Sequence, residues 1–179
     1  ADKKSFIKAN KTLIKLPFAY PNSQKKNNLK PEFLSRYEGY KVCVFIGTLN
    51  ENMFDFDPIT SAVKRFHEEI VFVIAGDGSG RSALKKHFCD DKNVLFPGWL
   101  SKNELTSLMQ SSDFALAPYI PIDNFKMHVP NKIIEYLSGY LPILYSVSGE
   151  MDILLKNCGL RYDPSCKNKE FFFENLVSK

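Results

Sequence analysis

Hydrophobic positions along this chain fall into short unbroken runs separated by stretches with helical spacing. Val42-Cys-Val-Phe-Ile46 is a compact, β-branched run that stops at Gly47. Ile59, Ala62, Val63 and Phe66 follow at helical intervals. Ile70-Val-Phe-Val-Ile-Ala75 is a second run, ended by Gly76, and a short helix is expected around Leu84 and Phe88. Asn93-Val-Leu-Phe96 is a third run, ended by Pro97-Gly98. Ser101-Lys-Asn-Glu104 has the form of a capping box for a helix carrying Leu105, Leu108 and Met109. Phe114-Ala-Leu-Ala117 is a fourth run, and a long loop then leads to Pro130. Pro130 opens a helix whose Ile133, Ile134 and Leu137 are expected to face the sheet. Pro142-Ile-Leu-Tyr145 reads as a fifth strand, Ile153 to Leu155 as a helix, and Leu160-Arg-Tyr162 as a sixth, short strand.

Runs that do not alternate with polar residues belong to strands buried on both faces. Helices between them make successive crossovers, which implies a parallel sheet of the doubly wound α/β class. In such sheets ligands bind at the carboxyl ends of the strands. Those ends carry Gly47-Thr48, Gly76-Asp-Gly78, Gly98-Trp99, Pro118-Tyr119 and Ser146. Residues 1–40 break the rhythm: Thr12 to Leu16 could be a strand, Pro17 to Asn28 reads as loop, and Pro31 to Tyr37 as a helical turn. They are taken as a lead-in segment and residues 41–179 as the domain.

Composition narrows the classes. The length of 179 residues fits one domain, and the net charge of +4 is spread along the chain. The densest basic stretch, Lys25-Lys26 with Lys30, lacks the aromatic interleaving of a nucleic-acid surface, so no nucleic-acid partner is expected. Cys43, Cys89, Cys158 and Cys166 form no C-x-x-C pair, which favours a reduced, cytoplasmic setting with Cys43 as a small core residue. No stretch approaches a membrane span.

Four patterns could carry chemistry. Ala75-Gly-Asp-Gly-Ser-Gly80 follows a strand and opens a helix, but Arg81 stands where a dinucleotide fingerprint needs its third glycine. A tight turn and a phosphate-facing loop are equally open there, and a nicotinamide-dinucleotide oxidoreductase is a weak alternative. Asp55-Phe-Asp57 has a metal-binding spacing, yet Pro58 follows at once, so Asp57 is expected as a helix N-cap and no metal is expected. His67 and His87 read as surface residues, whereas His128 precedes the Pro130 helix in a loop expected to face the ligand. Asn131, Lys132 and Glu135 follow Pro130: free N–H groups and an ammonium for a diphosphate, and a carboxylate one turn on for a vicinal diol such as ribose.

In order, V-F-I-G-T-L, F-V-I-A-G-D-G, V-L-F-P-G-W-L-S-K-N-E-L, S-S-D-F-A-L-A-P-Y and P-N-K-I-I-E-Y-L-S-G-Y-L-P-I-L resemble the C-terminal domain of retaining GT-B glycosyltransferases, a family that includes bacterial capsule and lipopolysaccharide enzymes. The resemblance runs from about Lys41 to about Pro164. It implies a Rossmann-like domain that binds a nucleotide-diphosphate sugar, with the acceptor glycan or glycolipid held by an N-terminal domain outside this chain. It also implies that the fragment alone should not catalyse, and that the full enzyme works in the cytoplasm, at times at the inner membrane face. Gly47 and Thr48 would approach the diphosphate, with Gly76, Gly78 and Tyr119 nearby, and main-chain groups at Trp99 and Leu100 would meet the base. Asn131, Lys132 and Ile133 would bind phosphate and Glu135 the ribose. Met127 stands where the family often has a sugar-contacting glutamate, and Thr48 where many members have arginine. Lys126, Lys132 and Arg81 are the nearby cations that could substitute. A non-catalytic nucleotide-sugar-binding or partner-binding module of the same fold is the alternative.

Overall fold

The computed structural model describes residues 30–163 and 173–174. Six strands form one parallel sheet in the order β3-β2-β1-β4-β5-β6. They are β1 Lys41–Ile46, β2 Ile70–Ala75, β3 Val94–Gly98, β4 Phe114–Ala117, β5 Ile143–Tyr145 and β6 Gly159–Arg161. The helices between them are α1 Asp57–Arg65, α2 Arg81–His87, α3 Lys102–Gln110, α4 Asp123–Lys126, α5 Asn131–Ser138 and α6 Glu150–Leu155. All five strand pairs are parallel, as the doubly wound reading requires.

The centre of the sheet follows from its sequence. Every residue of β2 is buried, as are Val42 to Ile46 of β1 and all of β4. Each such Val, Ile, Leu or Phe contributes about 1.5–3 kcal/mol of burial. Cys43 is one of them, and burial pushes its thiol up, so it acts as a core side chain. The strand order reverses between β1 and β4, which leaves a crevice beyond their carboxyl ends.

The lead-in segment is described from residue 30 onward, and the expected strand at Thr12 to Leu16, the Lys25-Lys26 pair and Cys166 lie outside the described residues. A 3₁₀ turn at Glu32–Leu34 falls where a helical turn is expected. Leu34 and Tyr37 behind it are buried, and the Tyr37 hydroxyl donates to the Lys92 carbonyl.

Several local expectations need correction. Asp57 is the first residue of α1 rather than its cap: Phe56 holds the cap position, and Asp55 Oδ1 accepts from the Asp57 N–H at 3.0 Å. The long loop before Pro130 contains the short helix α4. Pro130 is the N-cap of α5, one position earlier than a first helical residue. On α5 the fully buried positions are Ile133 and Tyr136, while Ile134 and Leu137 are only partly covered. Spacing of apolar letters alone missed Tyr136 because its ring is apolar but its hydroxyl needs partners. On α6 the inward residues are Met151 and Leu155, and Ile153 is exposed. The Ser101–Glu104 capping box forms as expected, with Ser101 N–H donating to the Glu104 carboxylate at 2.7 Å.

Candidate functional site

Two loops and one helix meet at the carboxyl end of β1. Gly47 ends the strand at φ +147° and donates to the Ala75 carbonyl at 2.9 Å. The chain then runs out through exposed Thr48 and comes back across the crevice. A strap, Met53 to Asp55, pairs there with the segment after β4. Phe54 and Tyr119 form an antiparallel bridge, Asp55 N–H donates to Pro118 O at 2.8 Å, and Ile120 N–H donates to Met53 O at 3.0 Å. Phe54 of the strap joins a row of edge-on and tilted ring contacts: Phe45 to Phe54 at 4.9 Å, Phe54 to Tyr119 at 4.9 Å, Tyr119 to Phe125 at 4.7 Å, and Phe125 to His128 at 5.7 Å.

Helix α5 aims its N-terminus at this place. Tyr136 fixes the aim. Its buried hydroxyl accepts from Ile46 N–H at 2.8 Å and lies 3.4 Å from the Leu116 carbonyl, so one side chain joins α5 to both strands that flank the crevice. Burial pushes its phenol well up, so it stays neutral. No side chain caps the start of α5; the Ile133 N–H donates to Pro130 O at 3.0 Å, which leaves the N–H groups of Asn131 and Lys132 to face an anion.

Lys132 lies beside them. Its Nζ is 3.8 Å from the centre of the Phe45 ring and 4.8 Å from that of Phe54. It has no hydrogen-bond partner and is shut off from solvent. A Cβ at position 47 would stand 2.0 Å from Nζ, so the amine fits only because residue 47 is glycine. Burial lowers its pKa to about 7, against the opposing pull of Glu135. The rings offset part of this by about 0.5–2 kcal/mol, less than the several kcal/mol that desolvating an ammonium costs. Lys132 and Glu135 form no ion pair among the described residues, so the solvated i, i+3 pair that a plain surface helix would show is absent there.

The other predicted residues divide clearly. Gly76 (φ +135°) and Gly78 (φ +152°) are pressed against backbone: a Cβ would lie 1.9 Å from Gly47 O and 2.4 Å from Leu49 O, respectively. Leu49 N–H donates to Asp77 O and Gly80 N–H to Leu49 O, so the loop after β2 is knitted to the loop after β1. Those glycines admit protein backbone, the close approach that a tight turn between the two loops requires. Trp99 is 78% exposed beyond β3, while Leu100 beside it is buried. Met127, His128 and Asn131 are exposed on the loop and first turn around α5, Glu135 is half-buried, and Ile133 is core. Of the alternative cations, Lys126 pairs with Asp123 at 2.9 Å, and Arg81 sits between Asp77 and Gly98 at the far end of the edge. His67 and His87 are exposed, as expected.

Residues 40–169 match the sequence model of glycosyl transferases group 1. The chain belongs to that family. No curated protein matches it significantly. Among solved structures, this glycosyltransferase domain is similar to WaaG, a glycosyltransferase involved in lipopolysaccharide biosynthesis, with TM-score 0.67 and 16% identity over 91% of this chain and 46% of that one. It is also similar to Anabaena Alr3699/HepE in complex with UDP, with TM-score 0.62 and 14% identity over 84% of this chain and 43% of that one. For the lipopolysaccharide outer core galactosyltransferase WaaB the TM-score is 0.56 and the identity 18%, over 83% and 41%. The chain thus spans under half the length of these proteins, and the likeness is one of fold. Within the glycosyltransferase domain, sequence reasoning missed Tyr136 and the aromatic strap. The strap has a signal, the alternation Phe54-x-Phe56 right after the β1 loop, but it interleaves with the D-x-D pattern of Asp55 and Asp57, which masks it.

Proposed function

We propose that this domain binds the nucleotide-diphosphate sugar of a glycosyl transfer reaction, with the diphosphate in the crevice between β1 and β4. The observation that carries the proposal is the Lys132 amine, held at the end of β1 beside Gly47 without a hydrogen-bond partner. A buried polar group left unsatisfied is costly unless a ligand completes it. The open N–H groups of α5 and an ammonium from Lys132 would stabilise the diphosphate as it leaves with its charge, with no metal needed. Lys132 thereby supplies from α5 the charge that many relatives are expected to carry after the first strand, where this chain has Thr48. Glu135, one turn into α5, would accept hydrogen bonds from the ribose diol. The complex of HepE with UDP supports a nucleoside diphosphate as the ligand class.

In this proposal the acceptor, a surface polysaccharide or glycolipid, and any catalytic base belong to a domain outside this chain, and transfer proceeds with retention in the cytoplasm. No helix among the described residues is long and apolar enough to cross a membrane, and a peripheral association of the full-length enzyme with the inner membrane face is part of the proposal. Met127, 73% exposed where a sugar-contacting acid is expected, favours a second reading, a nucleotide-sugar-binding module without turnover. Calorimetry with UDP, GDP and NAD tests the first proposal. UDP or GDP should bind and NAD should not, and Glu135→Ala should weaken binding by roughly tenfold. Nucleotide binding equal to the parent in both Glu135→Ala and Lys132→Ala would remove α5 from the site. Turnover by a full-length enzyme containing this domain separates the two readings.

A further inference from the structure

The amine of Lys132 is the one feature of the site whose resting state disagrees with its proposed task. An ammonium that binds phosphate needs charge and access, yet Nζ rests between the Phe45 and Phe54 rings with no partner and no solvent. The strap above it is fastened by the Met53 and Asp55 backbone hydrogen bonds to the segment after β4. The flexible four-carbon stem of the lysine is therefore the part that moves.

We propose that Lys132 rests uncharged in this aromatic cage and takes a proton from solvent when an anionic diphosphate enters the crevice, so that donor binding is coupled to proton uptake. The inference rests on the crevice being the diphosphate site. In the step, a proton moves from water or buffer onto the Nζ lone pair, and the ammonium leaves the rings to pair with phosphate oxygen. No other bond is made or broken.

The groups around the amine leave it to carry this titration. β1 contributes the Phe45 ring and Gly47, which do not ionise. The strap contributes the Phe54 ring, with Asp55 next in sequence, and the segment after β4 contributes Tyr119. α5 itself contributes Glu135 and Tyr136. Tyr119 and Tyr136 are both pushed up by burial and stay neutral. The Glu135 charge attracts the proton, and burial outweighs it, which brings the amine to about 7. Beyond this ring of groups, His128 stands on the loop leading to α5, against Phe125.

The sign follows. The free site is neutral above about pH 7 and must be protonated to bind, so affinity is full below that pH and falls as the pH rises. One proton taken up makes binding roughly twentyfold weaker at about pH 8.5 than at about pH 6.5. UDP-glucose is the suitable probe, because a diphosphate diester does not itself titrate in this range. Isothermal calorimetry of the chain with UDP-glucose in buffers of different ionisation enthalpy should report uptake of close to one proton at about pH 8. Lys132→Met and Lys132→Arg should both flatten the pH profile, and His128→Gln should keep it. Binding with no proton uptake, or a slope that persists in Lys132→Met or vanishes in His128→Gln, overturns this inference and leaves the diphosphate site standing. Should UDP-glucose not bind, GDP-mannose takes its place as probe, and absence of binding by UDP, GDP and both nucleotide sugars overturns both. NMR titration of the Lys132 side chain in the unliganded parent checks the resting state without a variant: an ordinary lysine midpoint would refute the cage.

Discussion

The loop after β2 and the crevice between β1 and β4 lie at one edge of one sheet, and they solve different problems. The loop has the glycines that sequence inspection associates with phosphate, yet Gly76 and Gly78 face the backbone of Gly47 and Leu49. The crevice has no glycine motif beyond Gly47, yet it holds the buried amine without a partner. A glycine records that something approaches closely, and here the something is protein. A buried polar group without a partner records that something is missing, which is the better pointer to a ligand, and by that measure the Arg81 Nε at the end of the β2 loop ranks with the Lys132 amine.

The comparison breaks first at Gly76. Gly76→Ala would bring a Cβ to 1.9 Å from a carbonyl oxygen at φ +135°, so we expect a loss of about 4–5 kcal/mol in urea unfolding. A variant with parental stability would mean that the two loops are not locked together. Lys132→Met should act in the opposite direction. The lysine pKa is lowered in the folded state to about 7 from 10.5, so below pH 7 folding bears the whole cost of the buried charge. The cost fades as the pH rises from 7 towards 10.5, where the unfolded chain still holds its proton and the folded one does not. Lys132→Met should thus be more stable than the parent by roughly 3–5 kcal/mol near pH 6, with the gap closing by pH 10. A gap that is constant with pH would contradict the buried amine.

Tyr136→Phe probes what holds the crevice in shape. It strands the buried Ile46 N–H, whose bond to the hydroxyl is 2.8 Å, and should cost about 1–3 kcal/mol by denaturation. Its nucleotide affinity should fall less than that of Glu135→Ala if the helix keeps its place. The smallest effect sharpens the comparison: Gly80→Ala, at ordinary φ −79° with its nearest neighbour 3.3 Å from the new methyl, should change stability by less than about 1 kcal/mol. A large loss there would extend the tight packing of Gly76 and Gly78 to the whole loop.

The parts of the fold legible in the sequence are those set by local rules. β2 and β4 are uninterrupted apolar runs bounded by turn residues, and Ser101 with Glu104 can satisfy each other's backbone without any tertiary partner. The direction of α5 was also legible, because Pro130 fixes its start. What the sequence hid depends on distant contacts. The inward face of α5 turns on Tyr136, whose hydroxyl is useful only because Ile46, 90 residues away in sequence, presents an N–H. Lys132 reads as a mobile surface cation until Phe54 is folded over it. Trp99 is exposed at the rim of the edge where the resemblance expects a base, an exposure that the letters Pro97-Gly-Trp-Leu100 do not themselves dictate.

The two outermost strands end the sheet in different ways. β3 carries Pro97, which has no N–H to offer a further strand, and its pairing with β2 is already irregular between Val73 and Ala75. β6 is only three residues long and closes with Arg161, whose guanidinium is tied to Asp152 at 3.1 Å. A neighbouring molecule would therefore find at one margin an interrupted row of donors and at the other a short row beside a charged side chain. Both are features that discourage one chain's sheet from continuing into the next. Among the described residues, the wide apolar sheet thus ends at both margins in strands poorly suited to pairing with a further chain.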